Sequence, residues 1–358
     1  MHKLGDHLML TICGIFSTLG TILFPLAVSW NYEAVLLARF AQGLGISLVF
    51  SALGTIPIAW APTKGSSRFL AALSCAFQLS NVICTPIAGI LCDSTWGWRS
   101  VYYVFGSLTA IFFTIFAIFY RDSPRSHRNV SHKELEIIEE DKIITKRQKV
   151  PYRELCTDIC VLVTWLSNLG GNLGVLTLLL YGPTYLREVL HFEVKGTGFA
   201  SALPFFLAVL VKSIAGQLSD KCTFVSEKTR FVICGCAARF GLGIGYFFMA
   251  TTTNRTIAQI AFTSAIAISG LNVMGSVKCL QLRCKQHVHF AISAIAIMAY
   301  IIQFGAPIIV GMVCPDNTPE QWSTMFLVVG VIVVVTTMPF PFFTTSEAAE
   351  YTKNKEIS

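Results

Sequence analysis

The sequence predicts an all-α polytopic membrane protein of about ten transmembrane helices, divided four and six by one polar segment. Three observations lead there. Of the 358 residues, 54% are hydrophobic and only 13% charged, with mean hydropathy +0.63, whereas soluble domains carry about 25% charged residues. Apolar runs of bilayer-spanning length, about 20 residues each, follow one another along the chain. Lys and Arg gather in alternate gaps between those runs, which is a topology signal. The formal net charge of +7 is not gathered into a basic patch with stacking aromatics, so nucleic acid is excluded as a partner. The partner that the composition names is the lipid bilayer, where charge is expensive.

Taken in order, the first run is Leu8–Ser29. It follows His2 and Lys3 as a signal peptide would, but it is too long for a signal core and lacks a small-x-small cleavage site; it is read as a retained span. Val35–Trp60, Phe69–Cys92 and Val101–Tyr120 complete the first group. After the polar segment come Ile159–Tyr181, Gly198–Leu218, Phe231–Ala250, Ile257–Val277, Val288–Val313 and Met325–Phe343. Gly43, Gly45, Pro86, Gly170, Gly171, Pro204 and Pro307 lie inside runs, which membrane helices tolerate because neighbouring helices satisfy the freed backbone groups.

The polar segment, 121–158, holds nine of the 27 Lys and Arg residues and eight of the 20 Asp and Glu residues. With it and the N-terminus in the cytoplasm, 20 basic residues fall on that side. Four (Arg99, Arg187, Lys195, Arg255) fall opposite, and Arg39, Lys212 and Arg239 lie within helices. That asymmetry sets the orientation, and an even number of spans puts both termini in the cytoplasm. The domains are then 1–120, a partial N-terminal half of four helices; 121–158, a cytoplasmic linker; 159–343, a C-terminal half of six helices; and 344–358, a cytoplasmic tail. Within the linker, Ser131 and Glu134 form a capping box. Leu135, Ile137 and Ile138 follow among acidic residues, as in a short amphipathic helix beneath the membrane or a plain solvated one.

The 12 cysteines sit mostly inside apolar runs (Cys13, Cys75, Cys84, Cys234, Cys236) with no CxxC pair or His/Cys metal spacing. They are read as small hydrophobes, and no metal or cofactor is expected. No Gly-rich phosphate loop or nucleophile elbow appears, so an enzyme is disfavoured.

Specific stretches carry a family likeness. Arg39-Phe-Ala-Gln-Gly-Leu-Gly45, Trp60-Ala-Pro62 with Ser67, Pro86-Ile-Ala-Gly89 before Gly97-Trp98, Val101-Tyr-Tyr-Val-Phe-Gly106 and Asp122-Ser-Pro124 occur in order. Gly182-Pro-Thr-Tyr185, Ser201-Ala-Leu-Pro204 and Pro315-Asp-Asn-Thr318 with Trp322 continue the series. The chain resembles the anion/cation symporter branch of the major facilitator superfamily, the branch of sialin and the vesicular glutamate and sodium/phosphate transporters. The resemblance implies two six-helix halves joined by a cytoplasmic linker, secondary active transport of a small organic or inorganic anion by alternating access, and residence in the plasma membrane or an intracellular vesicle or lysosome membrane. Aligned on Arg39, the first run becomes helix three, so the likeness implies that helices one and two are lacking. A truncated, non-transporting relative is the alternative expectation.

Arg39 is the leading substrate-binding candidate. A charge within a span is a functional hypothesis by default, and a guanidinium can grip a carboxylate at two points; snorkelling to the outer interface is the bland account. Gln42, one turn on, is its companion or interhelical glue. Proton-coupled relatives carry a Glu where Ile46 stands here, so the coupling ion, Na+ or H+, is left open. Relatives place a polar or charged residue in helix seven where this chain has Gly171; Asn168 and Asn172 flank that spot and either line a cavity or pack helices. Tyr300 and Gln303 are further candidates, with Gln78, Asn81 and Asn272 beside them. Lys212 and Arg239 lie deep, without nameable partners. Gly216-Gln-Leu-Ser-Asp220-Lys221 with Arg230 resembles the superfamily's cytoplasmic gating loop, in which Asp220 would latch onto a helix N-terminus.

Overall fold

The computed structural model describes residues 5–47, 52, 56, 59–60, 66–139, 150–221, 225–252 and 254–352. Every regular element among them is helical. The elements are α1 (Asp6–Ile22), α2 (Phe24–Trp30), α3 (Tyr32–Ser47), α4 (Ser66–Asp93), α5 (Gly97–Phe119), α6 (His132–Glu139), α7 (Tyr152–Thr157) and α8 (Ile159–Thr184). Then follow α9 (Val194–Lys221), α10 (Glu227–Thr251), α11 (Arg255–Ser269), α12 (Lys278–Cys284), α13 (Val288–Val313), α14 (Pro319–Thr337) and α15 (Phe340–Phe343).

Among the described residues, seven helical segments are long and apolar enough to cross a membrane, or eight with the bent pair α1–α2. The other two of the ten expected runs map onto α3, whose run continues into residues outside the described set, and α4, a helix of 28 residues. The bend of 50° between α1 and α2 has a local cause. Pro25 lacks an N–H and its ring crowds the carbonyl four residues back, so the helix breaks at Leu23. Large apolar side chains such as Ile233, Ile244, Phe248, Ile297, Ile301 and Phe304 remain exposed on the helices, as suits a surface that meets lipid.

The chain forms two compact units. Unit 1 comprises residues 1–80 and 87–147, and unit 2 residues 81–86 and 148–358. In unit 1, α1 packs against α3 and α5, with Phe24, Ala27 and Ala38 buried around Tyr102. The linker helix α6 starts where the Ser131 hydroxyl caps it, accepting the Glu134 N–H at 3.2 Å. Ile138 is buried and Leu135 half-buried, while Ile137 is exposed, so the apolar stripe is narrower than the three residues expected. Arg125 clamps both carboxylate oxygens of Glu139 at the far end of α6.

In unit 2, α10 packs against α11 and α14 over a core of Leu178, Leu242, Tyr246, Phe262, Trp322 and Phe326. At Gly275, between α11 and α12, an added Cβ would lie 2.3 Å from the Gly235 Cα of α10. Only hydrogen fits between these two backbones, as expected where membrane helices cross closely. Part of the C-terminal segment is docked rather than free. Ala349 N–H donates to the Arg283 carbonyl at 3.1 Å, Arg283 Nη1 donates to the Glu347 carbonyl at 3.3 Å, and the Tyr351 hydroxyl donates to Asp158 Oδ2 at 3.2 Å.

Candidate functional site

In unit 1 the helical spacing of Arg39 and Gln42 on α3 puts their side chains on one face. Arg39 Nη1 donates to Gln42 Oε1 at 3.0 Å, and Nη2 donates to the Tyr102 hydroxyl of α5 at 3.2 Å. The guanidinium lies 4.1 Å above the Phe24 ring, a cation–π arrangement that α2 supplies. Gln42 in turn donates to the Gly20 carbonyl at 3.2 Å and the Thr21 hydroxyl at 3.3 Å. Its Nε2 is thereby committed to α1, and its Oε1 is aimed at Arg39. The arginine is held by neutral groups and an aromatic face, with no carboxylate partner among the described residues, and it remains exposed. Its partner Gln42 lines a cavity of about 420 Å³ together with Ser17, Thr21, Gly45, Ile46 and Phe113. That lining has no acid; Ile46 stands in it.

In unit 2 the structure joins residues that the sequence left apart. Asn168 of α8 is buried and donates through Nδ2 to the Thr164 carbonyl at 2.7 Å. Its Oδ1 accepts from Arg239 Nη2 of α10 at 2.8 Å, and the same Nη2 donates to Asn272 Oδ1 at 2.7 Å. Asn172 is half-buried, and its side chain makes no hydrogen bond among the described residues. On α13, Tyr300 is exposed and Gln303 half-buried, one turn apart. Of Gly216 and Asp220, expected to take part in gating, only the backbone, in the last turns of α9, is described, and the Asp220 side chain lies outside the described residues. Arg230 lies in the first turn of α10, half-buried.

Sequence reasoning named Arg239 without partners and Asn272 only as one of several further polar candidates. One signal could have linked them: Asn168 and Arg239 each fall near the middle of an apolar run, where polar side chains must find one another. For Arg39, Tyr102 was the missed partner, although it stands within a stretch that carried the family likeness.

Two all-helical units with long apolar helices and an exposed apolar surface define a polytopic membrane protein. The chain belongs to the Major Facilitator Superfamily, whose family model matches residues 1–307; this places it among transporters and not among enzymes. It is 26% identical to human sialin over 360 residues, covering 98% of this chain and 72% of that protein. It is 27% identical to human vesicular glutamate transporter 2 over 366 residues, covering 96% of this chain and 60% of that protein. The chain thus spans about 60% of the length of the vesicular glutamate transporters that it matches. In fold it is similar to a D-xylose–proton symporter, with a TM-score of 0.73 at 14% identity, covering 96% of this chain and 82% of that structure.

Proposed function

We propose that this chain is a secondary active transporter of small anions, organic ones foremost, working by alternating access with Arg39 as a substrate-binding residue. The observation that supports this reading is the Arg39 guanidinium. It is oriented by Gln42, Tyr102 and the Phe24 ring and carries no internal counter-ion among the described residues, and its hydrogen-bond partner Gln42 lines a cavity. Such a group is pre-organised for a carboxylate, since the cost of orienting it is met before the ligand arrives. The likeness to sialin and to a vesicular glutamate transporter agrees with an anionic substrate. Asn168, Asn172, Tyr300 and Gln303 are secondary candidates for lining the path, and Asp220 with Gly216 and Arg230 for gating it.

The driving ion is Na+ or H+. In proton coupling a membrane-embedded group must change charge, and Ile46 offers none. Both termini and the linker face the cytoplasm, and the membrane of residence is the plasma membrane or that of a vesicle or lysosome.

The test is uptake of labelled glutamate, lactate and phosphate into proteoliposomes holding the purified chain, under imposed Na+ or H+ gradients. Losing a charge-assisted hydrogen bond of about 1.5–3 kcal/mol lowers kcat/KM roughly 10- to 100-fold. Arg39→Ala should show that loss, and Arg39→Lys a smaller one. Native-like uptake by Arg39→Ala, or no uptake of any anion by the native chain, refutes the proposal.

A further inference from the structure

Arg239 sits near the middle of α10 and is only 2% exposed. The ion pairs of unit 2 lie elsewhere, Arg283 with Asp158 and Lys278 with Glu227; none involves Arg239 among the described residues. Its recorded acceptors are two neutral carboxamide oxygens, both serving Nη2, while its Nε–H is buried without a partner. Gly171 on α8 makes the room. A Cβ there would lie 1.5 Å from Nη1 and 2.0 Å from Cζ, so the guanidinium of α10 fills the volume that a side chain on α8 would take.

A buried cation without a counter-ion is strongly unfavourable, and two amide dipoles offset only part of that. Tying α8, α10 and the α11–α12 junction together would be done more cheaply by a neutral amide or an apolar side chain of similar length. The retained charge therefore calls for an anion. The geometry points to Arg239 as the anion-binding residue of unit 2, with Asn168 and Asn272 as its positioning residues and small monocarboxylates as its ligand class. This rests on the transporter reading above and deepens it. The asparagines hold Nη2 and fix the plane of the guanidinium, leaving Nε–H and Nη1 to donate to carboxylate oxygens. The hydrogen-bonded group of Thr164, Asn168, Arg239 and Asn272 contains one cation and no acid. It balances a single negative charge, so a carboxylate is neutralised and a phosphate dianion is left with charge uncompensated in a dry site.

The experiment is thermal unfolding of the full chain in detergent, titrated at fixed ionic strength with lactate, phosphate or chloride, since a ligand that binds only the folded state raises its midpoint. Lactate should raise the native midpoint in a saturable way, with phosphate and chloride weaker. Arg239→Gln removes the charge and keeps an amide donor on a shorter side chain; it should raise the half-saturating lactate concentration at least tenfold. Moving the cation to the facing helix, with Gly171→Arg and Arg239→Gly together, should restore much of the response, which a merely structural arginine would not allow. If Arg239→Gln does not fold, the exchanged pair decides: a folded exchange variant without a lactate response overturns the inference. A native-like response in Arg239→Gln, or phosphate binding more tightly than lactate, also overturns it. In either case uptake that depends on Arg39 would leave the transporter reading standing. Loss of that uptake dependence with the Arg239 response intact would be the opposite failure.

Discussion

Asp158→Asn is a one-atom change with a cost that can be worked from the contacts. Asp158 Oδ1 caps α8 by accepting the Cys160 N–H at 2.9 Å. Oδ2 accepts from Arg283 Nε at 2.7 Å and from the Tyr351 hydroxyl at 3.2 Å. The carboxylate side chain is 5% exposed and the Arg283 side chain 23%. An asparagine keeps one oxygen, so it can cap the helix or accept from Arg283 and Tyr351, but not both; its amide would face two donors. Removing one partner of a fully buried ion pair costs about 3–5 kcal/mol. Arg283 retains some water and the Glu347 carbonyl, which places this case lower, at about 2–3 kcal/mol. For a unit of this size that is a fall of roughly 5–10 °C in melting midpoint. The assay is tryptophan-fluorescence melting of purified protein in detergent, for Asp158→Asn, Arg283→Met and the double variant. Because the pair is largely buried, the loss should persist in high salt. A midpoint within about 1 °C of native, or a double variant that costs the full sum of the singles, would refute the reasoning.

Other outcomes follow from the same structure. Gly275→Val drives a side chain into the Gly235 backbone and should lower the yield of folded protein sharply, as read by size-exclusion chromatography, whereas Gly311→Ala, which meets nothing within 4 Å, should leave it unchanged. The Arg125–Glu139 pair is solvent-exposed, so Arg125→Ala should leave the melting midpoint unchanged and salt-independent. Burial and the neighbouring Cys284 and Asp158 push the Tyr351 phenol above its ordinary value. The folded state then holds this proton where the unfolded state releases it, so stability falls as pH rises above about 10, and Tyr351→Phe should shallow that alkaline decline in a pH series of melts. Cys156 is exposed whereas Cys160 is buried. With other cysteines replaced, Cys156 should react with an impermeant maleimide only after cells are permeabilised, which checks the cytoplasmic linker.

The sequence alone determined which segments enter the membrane, because every charge there is costly and run length and charge asymmetry are written residue by residue. Ser131 marked its cap for the same reason, since a cap acts on its own backbone within a turn, whereas the break at Pro25 in the first run was seen only in the structure. The Arg39–Gln42 pair was legible too, being one turn apart on one helix. Partners on other helices were not. A helix apolar nearly all round gives little signal about which face meets which neighbour, so Arg39 with Tyr102, and Arg239 with Asn168 and Asn272, required the tertiary structure. Gly171 shows the difference most clearly. By the family resemblance it is a position where relatives carry a polar or charged side chain. In the fold its lack of a Cβ is the space that a guanidinium from α10 occupies, and close packing of backbones, not chain order, decides that.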